Sequence, residues 1–528
     1  MPADKIMASS KTGVGLLRIG VIVFVAIGAF LRLFQIDQME FGIDGVTAIL
    51  TTQFWLGRGI PQYGQMSGAG VMMPPGLIYL LIPLLLVTAS PVWICFYVAC
   101  LNIVALLLVY RLGADIDSHR AGFWACGIMA THPWLIIYSR KIWPQCFLPF
   151  FVILFLIVIS RCTRRPNSPA IFWAGPLLSL IWQIHYSGYT ILAFFVVWFS
   201  VSALLRKVRW SSALGGFALG LLLLFPHLTF IIQSRFAPFR SALEERMGVR
   251  IAVSRNLPLL FKMFGQTSFA GGFGFFFQGS QYRTLSLSRT ILGAENPWLH
   301  PLAVLGTGIV IGLFFFGMLL RRQPDEKTSL WLRITASPLG WLVFLSLLPP
   351  ILYPWRGVMV PPWYFVVSLP ALVTVAGVGL AKISGLGKGR KRSMHKLAAF
   401  IPGALVMISG GIVWLSFVRH LGRAGGTPGL YGPTCRVQKA VAAVLLEERV
   451  ALERIDVSLT DSQGFGIFYL YHFLEKQSPG VIVYSEKEAR LIDSLRCPGA
   501  VCDNAERKIS SAALGPLTIC LSPAGDEN

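Results

Sequence analysis

The sequence predicts a polytopic α-helical membrane protein of about eleven spans, with a small extracytoplasmic α/β domain at its C-terminus. Three observations predict it. Of 528 residues, 55% are hydrophobic and 13% charged, where a soluble chain would be about one quarter charged. Some eleven apolar runs follow one another, most of them near the roughly 20 residues a membrane crossing needs. Between Val46 and Arg240 the carboxylates are reduced to Asp115 and Asp117, so the spans carry almost nothing able to do proton chemistry.

The first run, about 14–35, is long enough to span. No small-residue cleavage site follows it before Asp37, so it reads as a membrane helix and not as a removable signal. Further spans fall near 92–111, 120–138, 146–160, 170–184, 188–205, 212–233, 298–320, 334–353, 361–382 and 397–418. The net charge of +22 suggests nucleic acid until its positions are read. Nearly half of the 46 Lys and Arg lie at the N-terminus and in alternate short loops: Arg111/Arg120, Arg161/Arg164/Arg165, Arg206/Lys207/Arg209, Arg321/Arg322/Lys327/Arg333 and the Lys388–Lys396 cluster. That is the positive-inside pattern. It places the N-terminus in the cytoplasm and the chain in the plasma (inner) membrane, and it excludes a nucleic-acid partner. Residues 76–89 form another apolar run, but counting it as a span would put all five basic loops outside. Short, and interrupted by Pro83, it reads as a helix packed in the outer loop or dipping into the outer interface.

The outer side then holds a long first loop (about 37–91), a short second one near Tyr138–Pro144, a large loop (about 234–297) and the tail. Residues 1–419 read as the transmembrane domain and 420–528 as the extracytoplasmic one. The tail has thirteen of the 24 acids, and helical runs alternate with the β-rich runs IDVSL, VIVYS and LTICL behind a Gly/Pro-rich linker, LGRAGGTPGLYGP. Four of the nine Cys lie there, and Cys497–Cys502 is the disulfide to test first on an oxidising face. The other five lie in apolar spans and read as packing residues.

Asp37, Glu40 and Asp44 crowd behind the first span, and ionisable groups at a membrane boundary mark a candidate functional site. Asp44 opens an apolar helix that ends at Gly57-Arg58-Gly59-Ile60-Pro61. One reading makes it an N-cap. The other makes it a carboxylate that deprotonates or orients an acceptor hydroxyl or amine.

From Asp44 to about Ile159 the chain resembles the GT-C superfamily of membrane glycosyltransferases, in the branch of the protein O-mannosyltransferases and the lipid A aminoarabinose transferases. The residues that carry the resemblance are Asp44 with its helix and glycine turn, Pro74-Pro75 before Tyr79, the span closing on Val109-Tyr110-Arg111-Leu112-Gly113, and the loop Tyr138-Ser139-Arg140-Lys141-Ile142-Trp143-Pro144-Gln145. The resemblance implies an inverting sugar transfer from a polyprenyl-phosphate donor to a protein, lipid or glycan acceptor at the outer face, with Asp44 as base.

Two departures stand out. Many relatives have Asp-Glu where this chain has Asp44-Gly45. Metal-dependent members of the superfamily place acids in the second outer loop, whereas this chain has Trp143-Pro144-Gln145 there. A divalent cation wants oxygen ligands, so the expectation is a metal-independent enzyme with no cofactor, in which cations receive the leaving phosphate.

Arg140 and Lys141 are the leading candidates for that role, since phosphate recognition favours Arg geometry with Lys as a point charge. Their alternative is snorkelling to lipid headgroups. Arg356 and His185 complete the donor-phosphate set, with an interfacial anchor and a structural histidine as alternatives. Arg32 reads as snorkelling. The large loop, with Arg235, Arg240, Arg246, Arg250, Arg255 and Lys262 before GGFGFFF, reads as a lid on the outer leaflet that gathers anionic carriers, or as a solvated face with a membrane-dipping tip. Competing functions are an O-antigen-ligase-like or oligosaccharide transferase, and a lipid or solute transporter, though transporters commonly show repeats and none is evident here.

Overall fold

The computed structural model describes residues 3–66, 71–237, 264–277, 286–319, 337–352, 362–386, 391–427 and 431–447, Lys262, and the tail pieces 455–457, 465–476, 507–509 and 519–521. Arg240, Arg246, Arg250, Arg255, Arg356, Cys497, Cys502 and the VIVYS run lie outside these residues.

Helix α1 (Ala3–Leu33) packs against α4 (Pro91–Ile116) and α5 (His119–Thr131). Between them the first loop folds into α2 (Ile43–Trp55) and α3 (Gly76–Leu85). At ten residues, α3 is about 15 Å long, half the hydrocarbon thickness, and it does not cross. The chain continues through α6 (Pro133–Ile137), α7 (Leu148–Arg164), α8 (Ala174–Ile184), α9 (Tyr189–Leu204) and α10 (Trp210–Gln233). Then come α11 (Ile291–Glu295), α12 (Leu299–Leu319), α13 (Pro338–Leu352), α14 (Leu369–Gly385) and α15 (Lys391–Ala424). Five segments among the described residues are long and apolar enough to cross a membrane: Pro91–Ile116, Tyr186–Leu204, Trp210–Gln233, Leu299–Leu319 and Met394–Ala424. Helices of this kind mark a membrane protein. Several other expected spans form shorter helices, such as α8 and α14, because Pro, Gly and short irregular turns interrupt their apolar runs.

The helices meet through small residues, as they do where no water is present to drive association. A Cβ added at Gly122 would lie 2.2 Å from the Tyr110 carbonyl oxygen, and one at Gly379 would lie 2.3 Å from that of Leu313. The two ends of the bundle differ in charge. Asp115 pairs with Arg111 at 3.1 Å, and Asp117 pairs with Lys382 at the end of α14. Both long-gap carboxylates are thus used in ion pairs, about 39 Å along α4 from the end that faces the first loop.

Pro133 breaks the expected 120–138 span into α5 and α6. Proline has no N–H to give the carbonyl of Met129 four residues earlier. Arg32 takes over that role, donating from Nη2 to Met129 O at 3.1 Å and from Nη1 to Ala130 O and Gly28 O at 3.0 Å. It is fully buried, so the expectation of a snorkelling arginine is corrected: it closes an internal helix break.

In the tail, α16 (Cys435–Glu447) and α17 (Phe465–Lys476) pack together. Strands β1 (Ile455–Val457), β2 (Arg507–Ile509) and β3 (Ile519–Leu521) form an antiparallel sheet in the order β1-β3-β2, with Asp456 and Lys508 both opposite Cys520. The IDVSL and LTICL runs fall on β1 and β3. The expected linker is packed: Thr427 Oγ1 donates to Phe276 O at 2.7 Å, and Tyr431 OH donates to Gln38 O at 2.6 Å.

Candidate functional site

The acids of the first loop are presented by a short tether. After α1 the chain makes one 3-10 turn (Ile36–Gln38) and extends through Met39 to Phe41, two fully buried residues. Gly42, extended, is the N-cap of α2. Asp44 therefore stands in the first turn and makes no cap bond, which corrects the N-cap reading. The helix starts two residues too early for it, and its carboxylate is left for other partners. The helix dipole still favours a negative charge there.

Those partners come from the second outer loop. Lys141 and Trp143 are extended, so neighbouring side chains alternate in direction. Lys141 forms an ion pair with Glu40 and attracts Asp44, while the Trp143 side chain gives Asp44 a hydrogen bond. Burial is the largest influence on Asp44 and raises its pKa above the ordinary carboxylate value, with Lys141 and Trp143 opposing it. Burial likewise raises Glu40 to about 6, with Lys141 opposing and the Asp44 charge adding to it. Asp37 behaves differently. Burial pushes it up, but two hydrogen bonds from Arg436, at 2.5 and 2.8 Å, outweigh this and hold it below the usual range.

Gly45 stands where the two loops pack together. A Cβ there would lie 3.2 Å from the Phe41 ring and 3.7 Å from Ile142 Cβ, so the two loops close against each other at this point. Asn102 of α4 ties the second loop down, donating to Cys146 O at 2.9 Å and Val98 O at 3.0 Å.

Arg140 and Lys141 do not share a task. The Arg140 guanidinium turns to the end of α1, donating to Phe34 O and Gln35 O at 2.5 Å and reaching Arg32 O at 3.5 Å. It lies over the Trp414 ring at 5.2 Å and is fully buried. These carbonyls follow the end of α1, where the helix leaves acceptors unmatched. Arg140 caps that end.

His185 lies past the end of α8. Its Nδ1 accepts from the Ser187 backbone N–H at 3.0 Å, so Nε2 carries the proton toward Gln145, 2.9 Å away. The Gln145 amide nitrogen stands at that distance, and turning the amide over gives Nε2–H the otherwise unpartnered Gln145 oxygen as its acceptor. Burial lowers the His185 pKa to about 3, and a neutral ring with both nitrogens engaged fastens α8 to the second loop. The GGFGFFF turn is also internal. Phe273, Phe275, Phe276 and Phe277 are buried against Trp134 and Phe417, which corrects the membrane-dipping reading. A cluster of aromatic rings in a packed core excludes lipid as well as water.

Sequence reasoning missed the tail's grip on the acid loop. Besides Arg436–Asp37, Cys435 N–H donates to Met39 O at 2.9 Å and Gln438 donates to Phe41 O at 3.0 Å, while Glu40 forms an isolated β-bridge with Thr434. Partners almost 400 residues apart leave no local pattern. Trp143 was visible as a loop aromatic, but its role depends on which face of the extended segment meets α2. Among the described residues, no group of three His, Cys, Asp or Glu is placed to hold a metal ion.

No family model and no curated protein matches the sequence. Solved structures do. ArnT from Cupriavidus metallidurans, bound to undecaprenyl phosphate, matches at a TM-score of 0.52 and 11% identity over 88% of this chain and 89% of that one. The same protein in the apo state gives 0.51 and 12%, over 85% and 84%. The archaeal oligosaccharyltransferase AglB from Archaeoglobus fulgidus, in complex with an inhibitory peptide and a dolichol-phosphate, gives 0.45 and 13% over 86% of this chain, which spans 59% of its length. At such identities the likeness is one of fold alone: over most of its length the chain shares the fold of the two ArnT structures.

Proposed function

We propose that this protein is an integral-membrane glycosyltransferase that moves a sugar from a polyprenyl-phosphate donor to an acceptor on the extracytoplasmic face. The observation that carries this reading is the placement of Asp44, a carboxylate in the first turn of a loop helix, attracted by Lys141 and hydrogen-bonded by Trp143. The fold it shares with an ArnT structure that holds undecaprenyl phosphate supports a lipid-phosphate donor. The reading puts the acceptor's hydroxyl or amine against Asp44. As the acceptor heteroatom bonds the anomeric carbon from one face, its proton passes to Asp44. The bond from that carbon to the phosphate oxygen breaks on the opposite face, with inversion, and its electron pair leaves on the polyprenyl phosphate. Asp44 then yields the proton to water.

In this proposal the reaction needs no metal, because the cation beside the carboxylates is Lys141. Arg140 and His185 support the fold around the site and are not donor ligands. Arg356 stays a candidate for the leaving phosphate, on its position in the sequence. Residues 1–419 form the catalytic membrane domain, with the N-terminus cytoplasmic, and 420–528 form an extracytoplasmic domain that steadies the acid loop through Arg436, Cys435 and Gln438. Mass spectrometry of envelope glycans and glycolipids, with and without the gene, tests the reading. It predicts one glycoform lost on deletion with its unmodified acceptor accumulating, and an unchanged profile would reject it.

A further inference from the structure

The ammonium of Lys141 sits in an unusual position. Only 8% of its side-chain surface is exposed, and three rings surround it: Trp143 at 4.9 Å, Phe276 at 5.6 Å and Tyr138 at 5.7 Å from Nζ to centroid. On its remaining side stands Glu40, with Asp44 close enough that the two carboxylates influence each other. A buried ammonium needs such compensation, since desolvation otherwise favours its neutral form, and ring faces attract cations most strongly where water is excluded. The cage is assembled from distant pieces. Tyr138 and Trp143 stack nearly parallel, 6.1 Å apart, and Phe276 comes from the large loop, where Thr427 and Tyr431 of the packed linker hold its carbonyl. A flexible surface lysine needs none of this.

We propose that Lys141 is a positioning residue, the built-in cation that holds Glu40 and Asp44 as one unit and aims Asp44 at the acceptor. This rests on Asp44 being the base. Two like charges held close together repel, and one of them rises in pKa. The lysine offsets that repulsion without the exchange and geometry demands of a bound ion.

The test replaces Lys141 with Met, which keeps the aliphatic stem inside the ring cage and removes the charge. Lys141→Arg is the conservative control. Protein is reconstituted in nanodiscs, and transfer rate is measured against pH with the donor and acceptor identified by the glycan comparison. In Lys141→Met the acidic limb of the rate profile moves up by a unit or more, and kcat falls more than tenfold with little change in donor KM. Lys141→Arg restores the limb. A merely structural lysine would lower the amount of active enzyme and leave the limb in place, which would overturn the proposal. A donor KM raised with kcat unchanged would also overturn it, by making Lys141 a phosphate ligand.

A second readout does not depend on activity. Without its ammonium, the carboxylate pair should take up a hard cation next to an indole. Terbium titrated into Lys141→Met should show emission sensitised by Trp143, at least about tenfold above the wild type. The double variant Lys141→Met/Asp44→Asn should lose it. Equal emission from wild type and Lys141→Met would overturn the juxtaposition, even if the protein proved not to be a transferase. If Lys141→Met does not fold, Glu40→Gln/Lys141→Met, which removes both charges of the pair, is measured instead. The proposal expects it to fold and to lose transfer, and wild-type kcat would overturn the proposal.

Discussion

Replacing Arg140 with Met separates a structural arginine from a phosphate ligand. In the wild type its guanidinium serves Phe34 O and Gln35 O at 2.5 Å, with a weaker contact to Arg32 O at 3.5 Å. Methionine fills much of the volume and supplies no donors. Two part-buried carbonyls then lose charge-assisted bonds. A fully buried orphan would cost about 1–3 kcal/mol each, and water partly replaces the donors here, so the substitution should cost about 1–3 kcal/mol in all. Loss of the stack on Trp414 adds to this. The assay is thermal unfolding of wild type and variant in the same micelle, alongside donor titration of whatever variant remains folded. The expected outcome is a clearly lower apparent Tm with donor KM within about twofold of wild type, an allowance well under the tenfold that 1.4 kcal/mol would give. An unchanged Tm together with a strongly raised donor KM would refute the capping role and return Arg140 to the phosphate site.

Further outcomes follow from the same geometry. Trp143→Phe keeps the ring and deletes the N–H that favours the ionised form of Asp44, so the acidic limb of the pH–rate profile should shift to higher pH while donor KM holds. Glu40 is raised by burial from 4.5 to about 6 in the folded protein. The folded state thus binds this proton more tightly than the unfolded chain. That contribution to stability is full below about pH 4.5 and is lost as pH rises through 6, by about 2 kcal/mol. Glu40→Gln should flatten the pH dependence of unfolding in that window, and an unaltered slope would show that Glu40 does not titrate there.

The sequence made many of the apolar runs and the acid cluster behind the first of them legible, because hydropathy and charge act locally. That the first and second outer loops serve one site was implied only by the family resemblance. The roles of the cations were harder to read. Arg32 and Arg140 look alike in sequence to any charge at a span end, and both proved to serve helix carbonyls. For Arg32 the reason can be traced to Pro133, which removes a donor from α5 on a different helix. Arg140 and Lys141 are adjacent, yet the extended backbone after Arg140 sends them to different partners. The phenylalanines of GGFGFFF read as a lipid-seeking tip because an aromatic run has the same composition whether it meets lipid or a protein core. Arg436 and Gln438 act on a loop almost 400 residues away, and only the fold brings them there.

Chromosomal Asp44→Asn tests the central claim most directly, with envelope glycans read by mass spectrometry and the variant's membrane level checked by immunoblot. A base of this kind contributes about 10²–10⁴-fold. The account predicts that the glycoform missing in the deletion strain is also missing, or nearly so, in the substituted strain, with the protein present at its normal amount. The same glycoform at wild-type abundance would contradict it.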